Sequence, residues 1–241
     1  MRIAVISDIH SNADALSAVL GDMDISSVNS VVSLGDNIGY GPEPEAVIQR
    51  IQERKIPSVL GNHEYGMIET ASLEWFNSDA KKALMMNETW LSKDSKNHIK
   101  TFQPFLETED AYYVHGFPPD SFTTYAVHVG NDAMMPVMMH MGVPICFVGH
   151  THDLNVSYTD GNKLLRHRLK KGMVRLKQGW KYIINVGSVG QPRDGDKRAK
   201  YLIFDTDAYS LDVRFISYDA EETAAKIKRL GLPFQYAFRL L

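Results

Sequence analysis

Residues 145–152 read Ile-Cys-Phe-Val-Gly-His-Thr-His. Four apolar residues make a run of strand length, and it ends in a glycine and two histidines. In open α/β sheets, ligand sites lie at the carboxyl ends of strands. Working back toward the N-terminus, the same arrangement recurs. Ala111–Val114 ends in His115-Gly116, and Pro57–Leu60 ends in Gly61-Asn62-His63-Glu64. Val31–Leu34 ends in Gly35-Asp36, and Ile3–Ile6 leads through Ser7 to Asp8-Ile9-His10. One D-x-H or H-x-H alone is a weak signal. Five such clusters, each after an apolar run and mostly beside glycine, point to one convergent site.

The segments between these runs predict helices. Leu16, Val19, Leu20 and Met23 fall at helical spacing over Ala13–Met23, with Ser11 or Asn12 as the cap. Pro42 and Pro44 open a second helix carrying Val47, Ile48 and Ile51. From about Glu64 to Asp110 the sequence turns helical and polar, with segments near Ser78–Leu91 and Asp94–Phe105. It reads as a helical insertion covering one side of the site. A Met-rich helix spans about Asn131–Met141. Downstream of His152 the reading becomes all-β: Leu154–Tyr158, Leu164–Leu169, Met173–Leu176, Lys181–Asn185, Ala199–Phe204 and Ser210–Ile216. Asp160-Gly161 and Gln178-Gly179 are hairpin signals. A helix over Ala220–Leu230 closes the chain. The first half therefore suggests parallel pairing and the second half antiparallel pairing. An α/β fold of two contacting sheets accommodates both, as one domain over residues 1–241.

Composition removes several function classes. The 241 residues are 44% apolar and 23% charged, which supports one continuous core and excludes extensive disorder. Lys plus Arg number 26 against 29 Asp plus Glu, a net charge of −3. That balance argues against nucleic acid as a partner, since its affinity rests on neutralising phosphates. No apolar stretch is long enough to span a bilayer, so a membrane role is not expected. The N-terminus reads as a first strand rather than a signal peptide. The single cysteine, Cys146, cannot form an internal disulfide, so a reducing, cytoplasmic setting is expected.

Asp8, His10, Asp36, Asn62, His115, His150 and His152 supply two carboxylates, one amide oxygen and four imidazoles. That exceeds one tetrahedral site. It suits two divalent metals sharing a bridging carboxylate, about 3.5–4 Å apart, which together activate water and hold a phosphoryl oxygen. Mixed nitrogen and oxygen donors accept Mn²⁺, Fe²⁺, Zn²⁺, Co²⁺ or Ni²⁺.

In their order, D-x-H, G-D-x-x, G-N-H-[DE], a lone His and G-H-x-H, these blocks resemble the calcineurin-like metallophosphoesterase superfamily. The later stretch Asn185–Asp194 resembles its small prokaryotic branch, with diadenosine tetraphosphatase-like relatives. The likeness covers roughly residues 1–205. It implies a four-layer αββα fold: a two-sheet β-sandwich flanked by helices. It also implies that Asp8, His10 and His152 bind the first metal, that Asn62, His115 and His150 bind the second, and that Asp36 bridges. Mn²⁺ leads among the implied metals. His63 is the implied catalytic residue, a general acid or a stabiliser of phosphoryl charge, with a metal-bound hydroxide as nucleophile.

The implied activity is a metal-dependent phosphoesterase acting on phosphodiester, phosphomonoester or phosphoanhydride bonds of small nucleotide-like substrates. Alternatives are a Ser/Thr-type phosphoprotein phosphatase and a non-enzymatic scaffold of the same fold. The phosphatase branch continues the G-D block to an Asp that orients the histidine and an Arg that grips phosphate. Here Gly39 and Tyr40 hold those places. Arg193 is the candidate replacement for the phosphate contact, unless Asp194 or Asp196 pairs with it. Tyr40 and Tyr65 can stack on a nucleobase or aryl group, or simply pack. His98, His128, His140 and His167 match no block. The basic run Lys163–Lys177 reads as a solvated hairpin, or else as a rim attracting polyphosphate. The oligomeric state is left open.

Overall fold

In the computed structural model, which describes Met1–Leu241, two sheets stack face to face between helical layers. The chain runs β1 (Arg2–Ile6), α1 (Ala13–Ile25), β2 (Ser30–Ser33), α2 (Pro44–Glu53), α3 (Asn62–Ile68), a 3-10 turn (Thr70–Trp75), α4 (Ser78–Trp90) and α5 (Lys93–Ile99). It continues with β3 (Phe105–Glu107), β4 (Ala111–Val114), α6 (Asn131–His140), β5 (Ile145–Val148), β6 (Asn155–Thr159), β7 (Leu164–Arg168), β8 (Gly172–Arg175) and β9 (Lys181–Asn185). β10 (Ala199–Asp205), β11 (Ser210–Ile216), α7 (Ala220–Arg229) and α8 (Phe234–Leu240) complete it.

One sheet has the order β2-β1-β10-β11-β8 and the other β3-β4-β5-β9-β6-β7. β1 and β2 pair in parallel, as do β4, β5 and β9, so their carboxyl ends share one edge of the sandwich. The layers follow from period-two alternation. Ala4 and Ile6 of β1 face α1 and α2, alongside Tyr201 and Ile203. Ile3 and Val5 face inward and meet Tyr113, Phe147 and Ile184 of the second sheet. On that sheet's outer side, Met134 and Met138, one helical turn apart on α6, cover Val114, Cys146 and Val148. The methionines and Cys146 are therefore packing residues. Phe147 is fully buried, and its truncation to Ala should cost about 3–5 kcal/mol.

Four expectations need correction. Pro57–Leu60 is not a strand. It makes one bridge to β2 (Ser33 with Ser58) and one to Gln103 (with Val59), because the chain crosses between two partners without running along either. The insertion is helical only through Ile99, and α3 starts at Asn62 itself. Pro104 restricts the backbone before it, and the chain then adds β3 antiparallel to β4. Asp160-Gly161 closes the β6–β7 hairpin, but Gln178-Gly179 joins strands of different sheets. Finally, β9 pairs in parallel with β5, so the split between halves is not clean, and α8 follows the expected closing helix. α7 and α8 pack Ile227, Tyr236 and Leu240 against Ala83 of α4.

Candidate metal centre

The ligand loops leave β1, β2, β4 and β5, plus the bridged segment before α3, and they pay for convergence in backbone strain. Of ten non-glycine residues with positive φ, seven lie here: Asp8, His10, Ser11, Asp36, Tyr40, His150 and His152. Each such residue costs about 1–3 kcal/mol, so the surrounding fold must impose it. Backbone bonds do so: Asp8 N–H donates to Gly35 O at 3.1 Å, and His10 N–H to Asp36 O at 2.9 Å. The turn after β2 nearly touches the start of α3. A β-carbon on Gly35 would stand 2.4 Å from the Gly61 nitrogen, so only glycine fits.

Each carboxylate is split between two tasks. Asp8 Oδ2 accepts from His150 N–H at 3.0 Å, and Asp36 Oδ1 accepts from His63 N–H at 2.9 Å. The other oxygens turn inward. Asp8 Oδ1 lies 3.2 Å from His152 Nε2 and 3.7 Å from His10 Nε2. Asp36 Oδ2 lies 3.2 Å from His115 Nε2 and 3.8 Å from His10 Nε2. Asp36 therefore stands between two groups, Asp8–His10–His152 and Asp36–His115–His150, and also joins a third, His10–Asp36–His63. Asn62 Oδ1 reaches the second group, 3.3 Å from His115 Nε2.

The tautomers can be deduced. His10 Nδ1 faces Ile38 O at 3.0 Å, His152 Nδ1 faces Gln191 O at 2.6 Å, and His115 Nδ1 faces Leu34 O at 2.8 Å. His150 Nε2 faces Thr123 O at 3.1 Å. A carbonyl only accepts, so each of these nitrogens carries the proton and the opposite nitrogen presents a lone pair. His10 Nε2 and His152 Nε2 then meet lone pair to lone pair at 3.0 Å, and the His150 Nδ1 lone pair meets His115 Nε2 at 3.1 Å, lone pair to lone pair whenever His115 is neutral. Asp8 Oδ1, buried beside the first pair, has no hydrogen-bond partner. Converging acceptors repel unless a cation lies between them. Two donors about 2.1 Å from one ion stand about 3.0–3.4 Å apart, which is the spacing of the His10–His152, His115–His150, Asp8–His152 and Asp36–His115 pairs. The residues fit divalent metals.

The charges agree. Burial pushes His10 and His152 down, and pushes His150 down to about 3, so all three are neutral, the form that can bind a metal. Burial opposes ionisation of Asp8 and Asp36, yet neighbouring histidines hold both below the usual carboxylate range. His115 differs. Burial disfavours its charge, but Asp36 and Asp8 outweigh that and raise it to about 9. Without metal, a proton on His115 takes the place a cation would fill.

His63 is buried at the third group, with its ring edge-on to His10 at 4.9 Å. Its Nδ1 has no partner and lies against Gly39. Burial lowers its pKa to about 4, against the pull of Asp36. Tyr40 packs on His10, His63 and Tyr236, at 4.3, 4.5 and 4.6 Å between centroids. The Arg193 guanidinium lies 5.7 Å from the Tyr40 ring and bonds Gln191 Oε1 at 3.0 Å. No carboxylate pairs with Arg193, because Asp194 binds Lys200 and Asp196 binds Arg198.

Two residues were given no role in the sequence reading: Glu64, quoted only as the end of its block, and Asn87. Glu64, fully buried, accepts from the N–H groups of Asp36, Asn37 and Gly61 at 2.8, 2.6 and 3.0 Å. It locks Asp36 to the start of α3. Its place three residues after the helix cap was the available signal. Asn87 of α4 accepts from Gly39 N–H at 2.7 Å and donates to Gly41 O at 3.0 Å, so the insertion fixes the Gly39–Gly41 turn. No sequence signal marked it. His98, His128, His140 and His167 lie outside the cluster. The Lys163–Lys177 run lines a separate groove between the β7 and β8 edges whose walls include none of the clustered Asp and His residues, and Arg168 at its edge lies 3.8 Å from Asp153.

A cleft of about 410 Å³ opens beside Asn62 and His150 and is walled by Tyr40, Trp75, Phe76 and Tyr125. No helix is long and apolar enough to cross a membrane.

Comparison with known proteins agrees with this geometry. An uncharacterized protein of Methanocaldococcus jannaschii is 33% identical over 241 residues, covering 96% of this chain and 93% of that protein. The crystal structure of a metallophosphoesterase from Sphaerobacter thermophilus is 34% identical, with a TM-score of 0.84 over 100% of this chain and 98% of that one. A candidate diadenosine tetraphosphatase shares the fold at 14% identity, with a TM-score of 0.55 over 90% of this chain and 94% of that one. The model of the calcineurin-like phosphoesterase superfamily domain matches residues 1–209, and with its buried Asp/His clusters in that family's order, the chain belongs to this superfamily.

Proposed function

We propose that the protein is a phosphoesterase that holds two divalent cations, with Mn²⁺ the first choice, and hydrolyses phosphate ester or anhydride bonds of small nucleotide-like substrates. The carrying observation is the pair of clusters, Asp8–His10–His152 and Asp36–His115–His150, with Asp36 Oδ2 lying 3.2 Å from His115 Nε2 of the second and 3.8 Å from His10 Nε2 of the first. Asp8, His10 and His152 would hold one cation, Asn62, His115 and His150 the other, and Asp36 both. Bound there, the cations supply Lewis acidity and an acidified water.

The chain's own residues do the rest. His63, neutral at pH 7, donates from Nε2 to the leaving-group or phosphoryl oxygen; bound cations disfavour its charged form still further. Arg193, free of carboxylates, meets the remaining anionic oxygens. Tyr40 holds Arg193 and His63 in place; burial lifts its pKa to about 12, so its hydroxyl keeps its proton. Residues 1–241 act as one unit in this reading. Retention of all seven ligands and His63 speaks against a scaffold. Gly39 and Tyr40 speak against a dedicated phosphoprotein phosphatase.

The test is hydrolysis of bis(p-nitrophenyl) phosphate and p-nitrophenyl phosphate by metal-stripped protein, with and without added Mn²⁺, alongside elemental analysis. Metal-restored turnover with two equivalents bound is expected. Equal turnover in chelator would end the proposal.

A further inference from the structure

Trp75 is 59% exposed, although Trp90 and Trp180 are half-buried, and it sits on the wall of the cleft beside Asn62 and His150. Two aromatic rings support it. Tyr65 stacks against it at 5.8 Å between centroids and 8° between planes, and Phe122 lies 6.4 Å away at 29°. Phe122 also rests on Tyr65 at 4.4 Å. Both supports belong to ligand segments. Tyr65 is on α3, which begins with Asn62, and Phe122 precedes Thr123, whose carbonyl fixes His150. The indole is thus held at a set position relative to the second metal group, backed by aromatic rings and still open to solvent.

The cleft between them carries no Lys, Arg, Asp or Glu. Its far wall, formed by Trp75, Phe76 and Asn77, suits an uncharged flat group and not an extended run of phosphates. Tyr40 is packed among His10, His63 and Tyr236, and Tyr65 is the support beneath Trp75. Neither is the open aromatic face.

Resting on the phosphoesterase reading above, we infer that Trp75 is a stacking platform for a planar, uncharged ring of the substrate, a nucleobase or an aryl group. The ring lies on the indole while the single phosphate it carries reaches Asn62 and His150. Stacking on one aromatic side chain changes affinity by roughly tenfold or more.

The test uses Mn²⁺-loaded protein and three phosphates: AMP, phenyl phosphate and ribose 5-phosphate. Dissociation constants are measured for wild type, Trp75→Ala and Trp75→Phe, with intrinsic fluorescence followed in parallel. AMP should lose about tenfold or more in Trp75→Ala and recover most of it in Trp75→Phe, with ribose 5-phosphate unchanged. AMP should quench wild-type fluorescence and lose that quenching in Trp75→Phe. Parallel loss for phenyl phosphate assigns the platform to any flat ring, whereas loss for AMP alone assigns it to nucleobases. Equal AMP binding in wild type and Trp75→Ala, with ribose 5-phosphate still bound, would overturn the platform and leave the phosphoesterase reading standing. Failure of all three phosphates to bind wild type would overturn both. A dimer that Trp75→Ala converts to monomer would show a second copy covering the indole, and would also overturn it.

Discussion

Gly39 stands against the imidazole of His63: a β-carbon on Gly39 would lie 2.1 Å from Nδ1 and 2.7 Å from Cε1. With φ at +91°, the position is strained for any other residue. In the resembling phosphatases this place holds the aspartate that orients the histidine. Here the ring occupies that space and Nδ1 is left unpartnered. Gly39→Ala should therefore displace His63 and lower kcat about 10²-fold or more while both metals stay bound. In a His63→Ala background the same substitution should change kcat by less than about twofold. A double-mutant cycle with elemental analysis checks this; equal losses in both backgrounds would refute the contact.

Asp36 Oδ2 is the one carboxylate oxygen facing histidines of both groups. Asp36→Asn should reduce occupancy at both metal positions, whereas His150→Ala should mainly empty one. Metal content of the purified variants decides it, and two full equivalents in Asp36→Asn would remove the bridge.

His63→Ala should keep its metals and lose roughly 10²–10⁴-fold in turnover, less on esters with good leaving groups. Because burial holds His63 at about 4, its titration should leave no step in the rate between pH 6 and 8. A limb in that range that vanishes in His63→Ala would show that it acts as a charged acid.

Arg193→Ala should weaken phosphate binding by about 1.5–3 kcal/mol in kcat/KM, with Tm unchanged, since no carboxylate depends on it. Arg193→Lys should recover only part, lacking the planar fork. A lowered Tm with normal kcat/KM would assign Arg193 to loop structure instead.

Metal uptake should release protons. Asp36 and Asp8 keep His115 protonated up to about pH 9, and a cation must displace that proton. Apparent affinity should then rise about tenfold per pH unit from pH 7 to about 9 and level off above. The sign for folding of the metal-free protein is opposite. Its raised pKa stabilises the fold fully below pH 6.5, and that contribution is lost as pH rises through about 9. Chelator competition and a weakly buffered indicator read the first effect, and urea melts the second. Affinity independent of pH over this range would contradict the assignment.

The residues of the Asp/His cluster were legible because their signals are local. Each of Asp8, Asp36, His115 and His150 follows an apolar run, and a parallel sheet gathers such ends whatever its strand order. Asn12 was legible as a cap for the same reason, and its side chain does accept from Ala15 N–H at 3.0 Å. Pro57–Leu60 misled because hydrophobic run length reports burial, not how many partners a segment pairs with. Phe234–Leu240 was missed because seven residues give too few turns for a periodic signal.

Strand-length runs and the short blocks that end them made the sandwich class, the ordered Asp/His set and the place of His63 readable, since all of these rest on patterns a few residues long. The neighbours of those residues emerged with the folded chain. The empty side of His63 against Gly39, Arg193 without a carboxylate, Glu64 beneath Asp36 and the open face of Trp75 are contacts between different loops. Long-range packing sets such contacts. Whether a given pair of side chains meets depends on sheet order and loop geometry, which spacing along the chain does not encode.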